Sequence, residues 1–254
     1  MEGICRLCEE EKELVDSHIM PKMFFKKLKR ATKAKSIIEV SKPYDKEQDG
    51  LKLPFLCNEC EKLFNEYETY FSNKFLKKAS DDIQHIYDTK DDRLRYLILS
   101  IAWRYLKYTY ESDEKVRSYN TKKELEMIED VIENWEGMLY NKKIQDIRNI
   151  QMHFIPINKL RIFDNNPEAI YDNIFMDFRS HGKSDSFEYG FVYIKIPYFI
   201  LLCTVWGKTS NMKQFLVGKK IITKDSNLPN WLIDLISIHL QVSEDVYKEI
   251  SNTK

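Results

Sequence analysis

The spacing of apolar residues follows a helical period in the first 150 residues of the chain. Over residues 59–75 apolar side chains recur every three or four positions, which predicts an amphipathic helix. The same period over residues 92–110 has few polar interruptions and predicts a central, well-buried helix. Thr121 and Glu124 form a capping box, so a further helix is expected to begin there and to stop near Gly137.

After about residue 150 the apolar period shifts towards two, which indicates strands. Segments rich in β-branched and aromatic residues are separated by polar or glycine-containing turns. An antiparallel meander is the simplest arrangement, followed by a last helix over residues 229–240. The predicted strands cover residues 151–156, 174–178, 191–196, 199–205 and 215–217.

The first quarter of the chain mixes shorter elements. Residues 36–40 are β-branched and predict a short strand, whereas residues 42–50 are polar and predict a loop. Residues 51–56 are expected to be extended, because Pro54 disfavours a helix. These patterns together predict an α+β protein, with a soft boundary near residue 80 that divides an N-terminal domain, 1–80, from residues 81–254.

Composition indicates an ordinary globular chain of 254 residues, with 43% hydrophobic and 31% charged residues. The 40 basic and 40 acidic residues cancel, so a surface for nucleic acid requires segregated charge. Residues 22–35 provide such a segregation, since they carry seven Lys or Arg and no acid. The run fits a solvated helix face and a phosphate-contacting helix equally well. The candidate phosphate contacts are Lys22, Lys26, Lys27, Lys29 and Arg30.

Several features favour a cytoplasmic protein that does not enter a membrane. The N-terminus is acidic where a signal peptide is basic. The longest apolar run, over residues 196–206, is interrupted by Pro197 and falls short of the roughly 20 residues that a membrane span needs. Five cysteines, four of them in closely spaced pairs, suit a reducing compartment.

Two Cys-x-x-Cys pairs, Cys5 with Cys8 and Cys57 with Cys60, are the strongest chemical signal in the chain. Two intervening residues allow both sulfurs of a pair to turn towards one ion. Four sulfurs complete the tetrahedral coordination of Zn²⁺ and leave no open position for catalysis, so the predicted ion is structural. The alternative is two disulfides or free thiols.

The order of motifs in this region resembles the zinc-stapled HNH endonucleases. Between the two Cys-x-x-Cys pairs lies Ser-His-Ile-Met-Pro at residues 17–21, and the second pair leads into a helix. The resemblance covers residues 4–70. It implies a zinc-stapled ββα module that grips one divalent ion, with His18 as the general base that activates water for attack on a phosphodiester, in DNA by preference. Residues 81–254 would then select the substrate, form a homo-oligomer or bind a partner protein.

Three positions depart from the HNH pattern. Ser17 stands where the family has a metal-binding His or Asp, Leu53 stands near the usual Asn, and Glu61 replaces the last His. Glu61 lies four residues before Asn65, on the same helical face, so the two are the candidate ligands of Mg²⁺ or Mn²⁺. The alternative for Glu61 is a solvated residue favoured by the helix dipole, and for His18 a structural histidine.

These departures keep two non-catalytic hypotheses open beside the nuclease. The first is a zinc module that binds nucleic acid through its basic helix without cleaving it. The second is a zinc-stapled scaffold for protein interaction, with the aromatic C-terminal part as its interface.

Overall fold

The computed structural model confirms the α+β class. It describes residues 1–39, 42–79, 85–112, 121–157, 173–183, 186–209, 212–222 and 228–252. The helices in these ranges are α1 (Lys22–Thr32), α2 (Asn58–Phe71), α3 (Asp92–Ser112), α4 (Lys122–Tyr140), α5 (Ile144–Asn149) and α6 (Asn230–Asn252). The strands are β1 (Glu2–Ile4), β2 (Glu11–His18), β3 (Ile37–Glu39), β4 (Lys42–Glu47), β5 (Lys52–Cys57), β6 (Ile86–Asp88), β7 (Met152–Pro156), β8 (Phe175–Lys183), β9 (Ser186–Ile196), β10 (Phe199–Gly207) and β11 (Lys220–Ile222).

The N-terminal sheet has the order β1-β2-β5, with both pairs antiparallel. The register pairs Leu14 with Cys57 and His18 with Lys52. Strand β5 passes directly into α2 at Cys57, whose backbone is extended. The strand pair and the helix therefore follow the predicted ββα order, and the pairing brings both Cys-x-x-Cys segments to one end of the sheet.

The segment between β2 and β5 contains α1 and a hairpin made of β3 and β4. The prediction of a loop over residues 42–50 was wrong in its first part, because residues 42–47 pair with β3. The polar sequence of β4 carried no strand signal, and the antiparallel partner supplies the hydrogen bonds that decide its conformation. The predicted strand at 36–40 is present as β3, although Val40 lies outside the described residues.

The central helices form where the sequence predicts them. Helix α3 is buried along most of its length. The capping box at the start of α4 is complete, since the Thr121 hydroxyl accepts from the Glu124 amide and the Glu124 carboxylate accepts from the Thr121 amide. The prediction that α4 stops near Gly137 was wrong, because Gly137 keeps a helical conformation and the helix ends at Tyr140. The Asn141 side chain then caps the Gly137 carbonyl at 2.9 Å.

The C-terminal sheet has the order β7-β10-β9-β8, so β8, β9 and β10 form the predicted antiparallel meander. The prediction of a strand at residues 215–217 was wrong. Lys213–Phe215 forms a 3-10 turn, and Leu216 makes only an isolated bridge to His153 at the edge of β7. The strand that follows, β11, pairs with β6 instead.

One hydrophobic core joins both halves of the described chain. Phe71 and Phe75, at the end of α2 and just beyond it, pack against Tyr87, Phe154 and Phe199. Residues 80–84, where the domain boundary was expected, lie outside the described residues, and the division into two domains stays a prediction. No helix in the described ranges is long and apolar enough to cross a membrane.

Candidate functional site

The sulfurs of Cys5, Cys8, Cys57 and Cys60 all lie within 4.8 Å of one another. The Cys8 and Cys57 sulfurs are 3.9 Å apart. Four sulfurs at 2.3 Å from a tetrahedral ion are about 3.8 Å from each other. The observed spacing is therefore close to the spacing that a tetrahedral metal ion requires. All four cysteines are free of disulfides in the structure. The cluster could therefore hold a metal ion such as zinc.

Backbone hydrogen bonds shape the first Cys-x-x-Cys turn and hold it against β5. The Cys5 amide donates to the Glu10 carbonyl at 3.0 Å, and the Glu9 amide donates to the Cys5 carbonyl at 2.9 Å. Glu9 has a φ of 57°, which closes the turn. The Arg6 amide donates to the Phe55 carbonyl at 3.0 Å. The Cys57 amide donates to the Cys5 sulfur at 3.2 Å, a bond that favours the thiolate form.

The buried sulfurs share protons when they face one another. A hydrogen bond from the Cys60 thiol lowers the pKa of Cys5, and the same bond raises the pKa of Cys60. Burial raises the pKa of the Cys57 thiol to about 11. Metal binding removes these protons, because only the thiolate is a ligand.

His18 ends β2, next to a carboxylate that the sequence reasoning did not select. Its Nε2 lies 3.3 Å from Oδ2 of Asp49, in the turn before β5. The two side chains are only 14% and 11% exposed. Nε2 is buried and has no partner with hydrogen-bond geometry among the described residues. Burial lowers the pKa of His18, and the nearby Asp49 opposes that change only in part. Burial therefore favours the neutral form of the imidazole.

Asp49 also contacts two lysines. Lys22, at the start of α1, lies 2.7 Å from Oδ2, and Lys52, in β5, lies 3.1 Å from Oδ1. The hydrogen bond with Lys22 is the main reason that the pKa of Asp49 is held well below its usual range. One carboxylate and two ammonium groups leave the surroundings of His18 with a net positive charge.

A buried arginine from α3 fixes the backbone of His18. Nη1 of Arg104 donates to the His18 carbonyl at 2.8 Å, and Nη2 donates to Oε1 of Glu68 at 2.9 Å. Arg104 is fully buried, and the Glu68 side chain is 15% exposed. Burial raises the pKa of Glu68, which Arg104 partly offsets and nearby Glu61 reinforces. Helix α2 is thereby tied to the strand that ends in His18.

Glu61 and Asn65 have different surroundings in the structure. Oε2 of Glu61 is buried and has no hydrogen-bond partner among the described residues. Glu61 lies seven residues before Glu68, so both occupy one face of α2. Asn65 is exposed and lines an outer groove with Lys62 and Glu66. A metal site that joins Glu61, Asn65 and His18 stays a prediction. Ser17, which stands where the HNH pattern has a metal-binding His or Asp, is buried.

The basic residues of α1 divide into two sets. Lys26 and Arg30 are exposed, and with Lys22 they recur every four residues on one helix face. Lys27 donates to the Leu76 carbonyl at 2.9 Å and lies over the Tyr198 ring. Lys29 donates to the Gln48 carbonyl at 2.7 Å. Lys26 and Arg30 are available to an external phosphate, whereas Lys22 is paired with Asp49. Lys27 and Lys29 also hold α1 against the rest of the protein.

Comparisons with protein-family models, with curated proteins and with solved structures found no match for this chain. Function must therefore be inferred from the residues around the cysteine cluster and His18. Asp49, Lys52, Glu68 and Arg104 are the members of that site that sequence reasoning missed. The signal at Asp49 was an Asp-Gly pair, which indicates a turn and says nothing about a histidine 31 positions away in sequence.

Proposed function

We propose that this chain is a metal-dependent, HNH-like endonuclease that hydrolyses phosphodiester bonds in nucleic acid, with DNA favoured. The observation that carries the proposal is the position of His18. Its imidazole lies beside a carboxylate and two ammonium groups, at the end of a strand that pairs with the cysteine-bearing strand β5. That combination offers a base for water and positive charge for a phosphate.

Zinc is the ion proposed for the cysteine cluster. Four thiolates suit Zn²⁺ and close its coordination shell, so the ion would have a structural role. Its position explains how a short sheet can hold His18 firmly. The cluster links the turn after β1 to the junction of β5 and α2, and β2 lies between β1 and β5.

His18 would act as the general base. With Nε2 turned towards Asp49, the Nδ1 edge of the ring is left to accept a proton from the attacking water. Asp49 would stabilise the imidazolium that forms, and Lys22 and Lys52 would attract the phosphate. General-base help of this kind accelerates reactions by roughly 10²–10⁴-fold.

Glu61 is the residue proposed to hold the catalytic Mg²⁺ or Mn²⁺. Its buried, unpartnered carboxylate oxygen fits a hard divalent cation. Asn65 is the second ligand expected from the sequence, and Glu68 lies on the same helix face as Glu61. When bound, the cation would stabilise the negative charge that develops on the phosphate and on the leaving oxygen.

The test is cleavage of plasmid DNA, single-stranded DNA and RNA with Mg²⁺ or Mn²⁺. We expect wild-type protein to cleave, and His18→Ala to lose roughly 10²–10⁴-fold in rate. His85→Ala is the matched control, because the His85 ring packs against Tyr87 just before β6, and the variant should retain wild-type activity. Equal cleavage by wild type and His18→Ala, or no cleavage under any of these conditions, contradicts the proposal.

A second candidate function is a zinc module that binds nucleic acid without cleaving it. One observation favours it. In the described ranges, the cysteine cluster is the only group of three or more His, Cys, Asp or Glu side chains close enough to bind one metal ion. Salt-dependent binding without cleavage would identify this function, and neutralising Lys26, Lys27 and Lys29 should weaken that binding.

A further inference from the structure

A second basic surface lies outside the site around His18. Helix α2, the turn after it and the start of α3 form an open groove of about 760 Å³. Four cationic side chains line it, from Lys62, Lys74, Lys78 and Arg93, against one acid, Glu66. The remaining lining residues are Asn65, Thr69, Tyr70 and Asn73, all of which carry hydrogen-bonding groups. Lysine, arginine, hydroxyl and amide side chains are the usual contacts to nucleic-acid phosphates.

Part of this groove is already ordered in the free protein. The Arg93 guanidinium lies 4.2 Å from the centre of the Tyr70 ring, and its Nη2 donates to Asp91 at 2.6 Å. The Lys74 ammonium lies 5.3 Å from the centre of the same ring. These contacts hold two cations in place before any ligand binds, which lowers the entropy cost of binding.

All three lysines that line the groove are available to an external anion. Lys62, Lys74 and Lys78 form no ion pair with any residue that the structure describes. Glu66 is the one acid among the residues that line the groove, although α2 also carries Glu59, Glu61 and Glu68. The groove therefore collects its cations from α2, from the turn after it and from the start of α3, in a chain whose net charge is zero.

A π-helical turn, Ser72–Leu76, presents Asn73 and Lys74 to the groove. π-Helical turns are rare and occur frequently at functional sites. The turn also joins the groove to α1, because Lys27 donates to the Leu76 carbonyl at 2.9 Å. Lys78 follows two residues later. The basic end of the groove therefore lies next to α1.

We infer that this groove binds the phosphate backbone of nucleic acid and extends the contact surface of α1. Its open shape and its four cations, drawn from three successive elements, suit a linear polyanion better than a compact ligand. Thr69 and Asn73 would donate further hydrogen bonds to phosphate oxygens. The inference rests on the proposed function because nucleic acid is taken from it as the ligand. Binding in the groove does not require that the protein cleave this ligand.

The test measures binding of the full chain to fluorescein-labelled DNA and RNA, single-stranded and duplex, by anisotropy over a range of salt concentrations. The groove variant is Lys62→Gln, Lys74→Gln, Lys78→Gln. The matched control is Lys122→Gln, Lys123→Gln, Lys143→Gln, which removes the same charge from exposed positions elsewhere. We expect the groove variant to lose about tenfold or more in affinity, and the salt slope on duplex to fall by roughly two to three units for three phosphate contacts.

Thermal unfolding of both variants establishes that each still folds. Equal effects of the groove and control variants on binding would overturn the inference, as would no effect of the groove variant. Binding of poly-glutamate as tight as that of nucleic acid would also overturn it, in favour of an acidic protein partner. Groove-dependent binding by a protein that never cleaves would refute the nuclease proposal and support this inference.

Discussion

The cysteine cluster and the surroundings of His18 differ in how far apart in the sequence their residues lie. Each half of the cluster comes from two cysteines three positions apart, and one strand pairing joins the halves. The His18 site takes Asp49 from a turn, Lys22 from α1 and Arg104 from α3. Local spacing therefore specifies the first site, whereas only the complete tertiary fold assembles the second.

The largest effect should come from the cluster, because metal binding there is coupled to folding. We expect about one zinc per chain, and loss of zinc together with unfolding of the N-terminal sheet in Cys57→Ser, Cys60→Ser. Structural zinc sites contribute apparent free energies of about 10–16 kcal/mol in isolated zinc-finger peptides. Metal analysis and circular dichroism check this prediction, with Cys203→Ala as the control that should keep its zinc. A folded double variant would show that the cluster is dispensable.

Arg104 should be the most sensitive single residue of the second site. Arg104→Met leaves the largely buried Glu68 carboxylate without its partner, which costs about 3–5 kcal/mol in a buried pair. Urea unfolding should show that loss in the free energy of unfolding. The double variant Arg104→Met, Glu68→Gln should recover part of it, since no charge is then left unpaired. An Arg104→Met variant as stable as wild type would mean that α3 does not hold this site together.

Gly50 is expected to matter because of packing next to Asp49. A Cβ atom at this position would lie 2.2 Å from Cζ of Phe25, so the ring has to move. We expect Gly50→Ala to destabilise the fold by about 1–3 kcal/mol, the usual range for overpacking. Adding Phe25→Leu should relieve the clash and restore some of the lost stability in the same urea measurement. No loss in Gly50→Ala would show that the turn adapts freely.

The smallest expected effect is a change in the titration of His18. Asp49 raises the pKa of His18 against the stronger effect of burial, so Asp49→Asn should lower that pKa further. An NMR titration of the His18 ring protons measures this pKa and does not depend on whether the protein cleaves nucleic acid. Asp16→Asn, which removes an exposed charge from the same strand, should shift the pKa much less. A higher pKa of His18 in Asp49→Asn would show that Asp49 does not favour the protonated imidazole.

The same lowered pKa has a consequence for stability. The unfolded chain binds a proton at His18 at a higher pH than the folded chain does. The contribution of His18 to stability is therefore complete above a pH of about 6.5 and is lost as the pH falls towards the folded pKa.

Sequence reasoning succeeded where a pattern is short. The cysteine spacing, the capping box at Thr121 and the apolar period of α3 each require only neighbouring residues, and the structure contains all three. It failed at β4, whose polar sequence forms a strand only because β3 pairs with it. The end of α4 was misplaced because a glycine was taken as a stop although its conformation is helical.

The site around His18 shows the same limit in its chemistry. His18 and Glu61 were selected from motif positions, and their catalytic and metal-binding roles stay predictions. Arg104 lies in an apolar helical period, where nothing marks it as the partner of a carbonyl 86 positions earlier. Such contacts depend on how helices and strands pack, which no local pattern of residues encodes.

Manganese occupancy in a crystal structure of the full chain tests the central claim most directly. The claim is that the site tied to His18 binds a catalytic ion that is distinct from the ion of the cysteine cluster. Anomalous scattering should show zinc on the four cysteines and manganese on the Glu61 carboxylate. Full zinc occupancy with no manganese at Glu61 would contradict the claim and leave the cysteine cluster as the only metal centre of the protein.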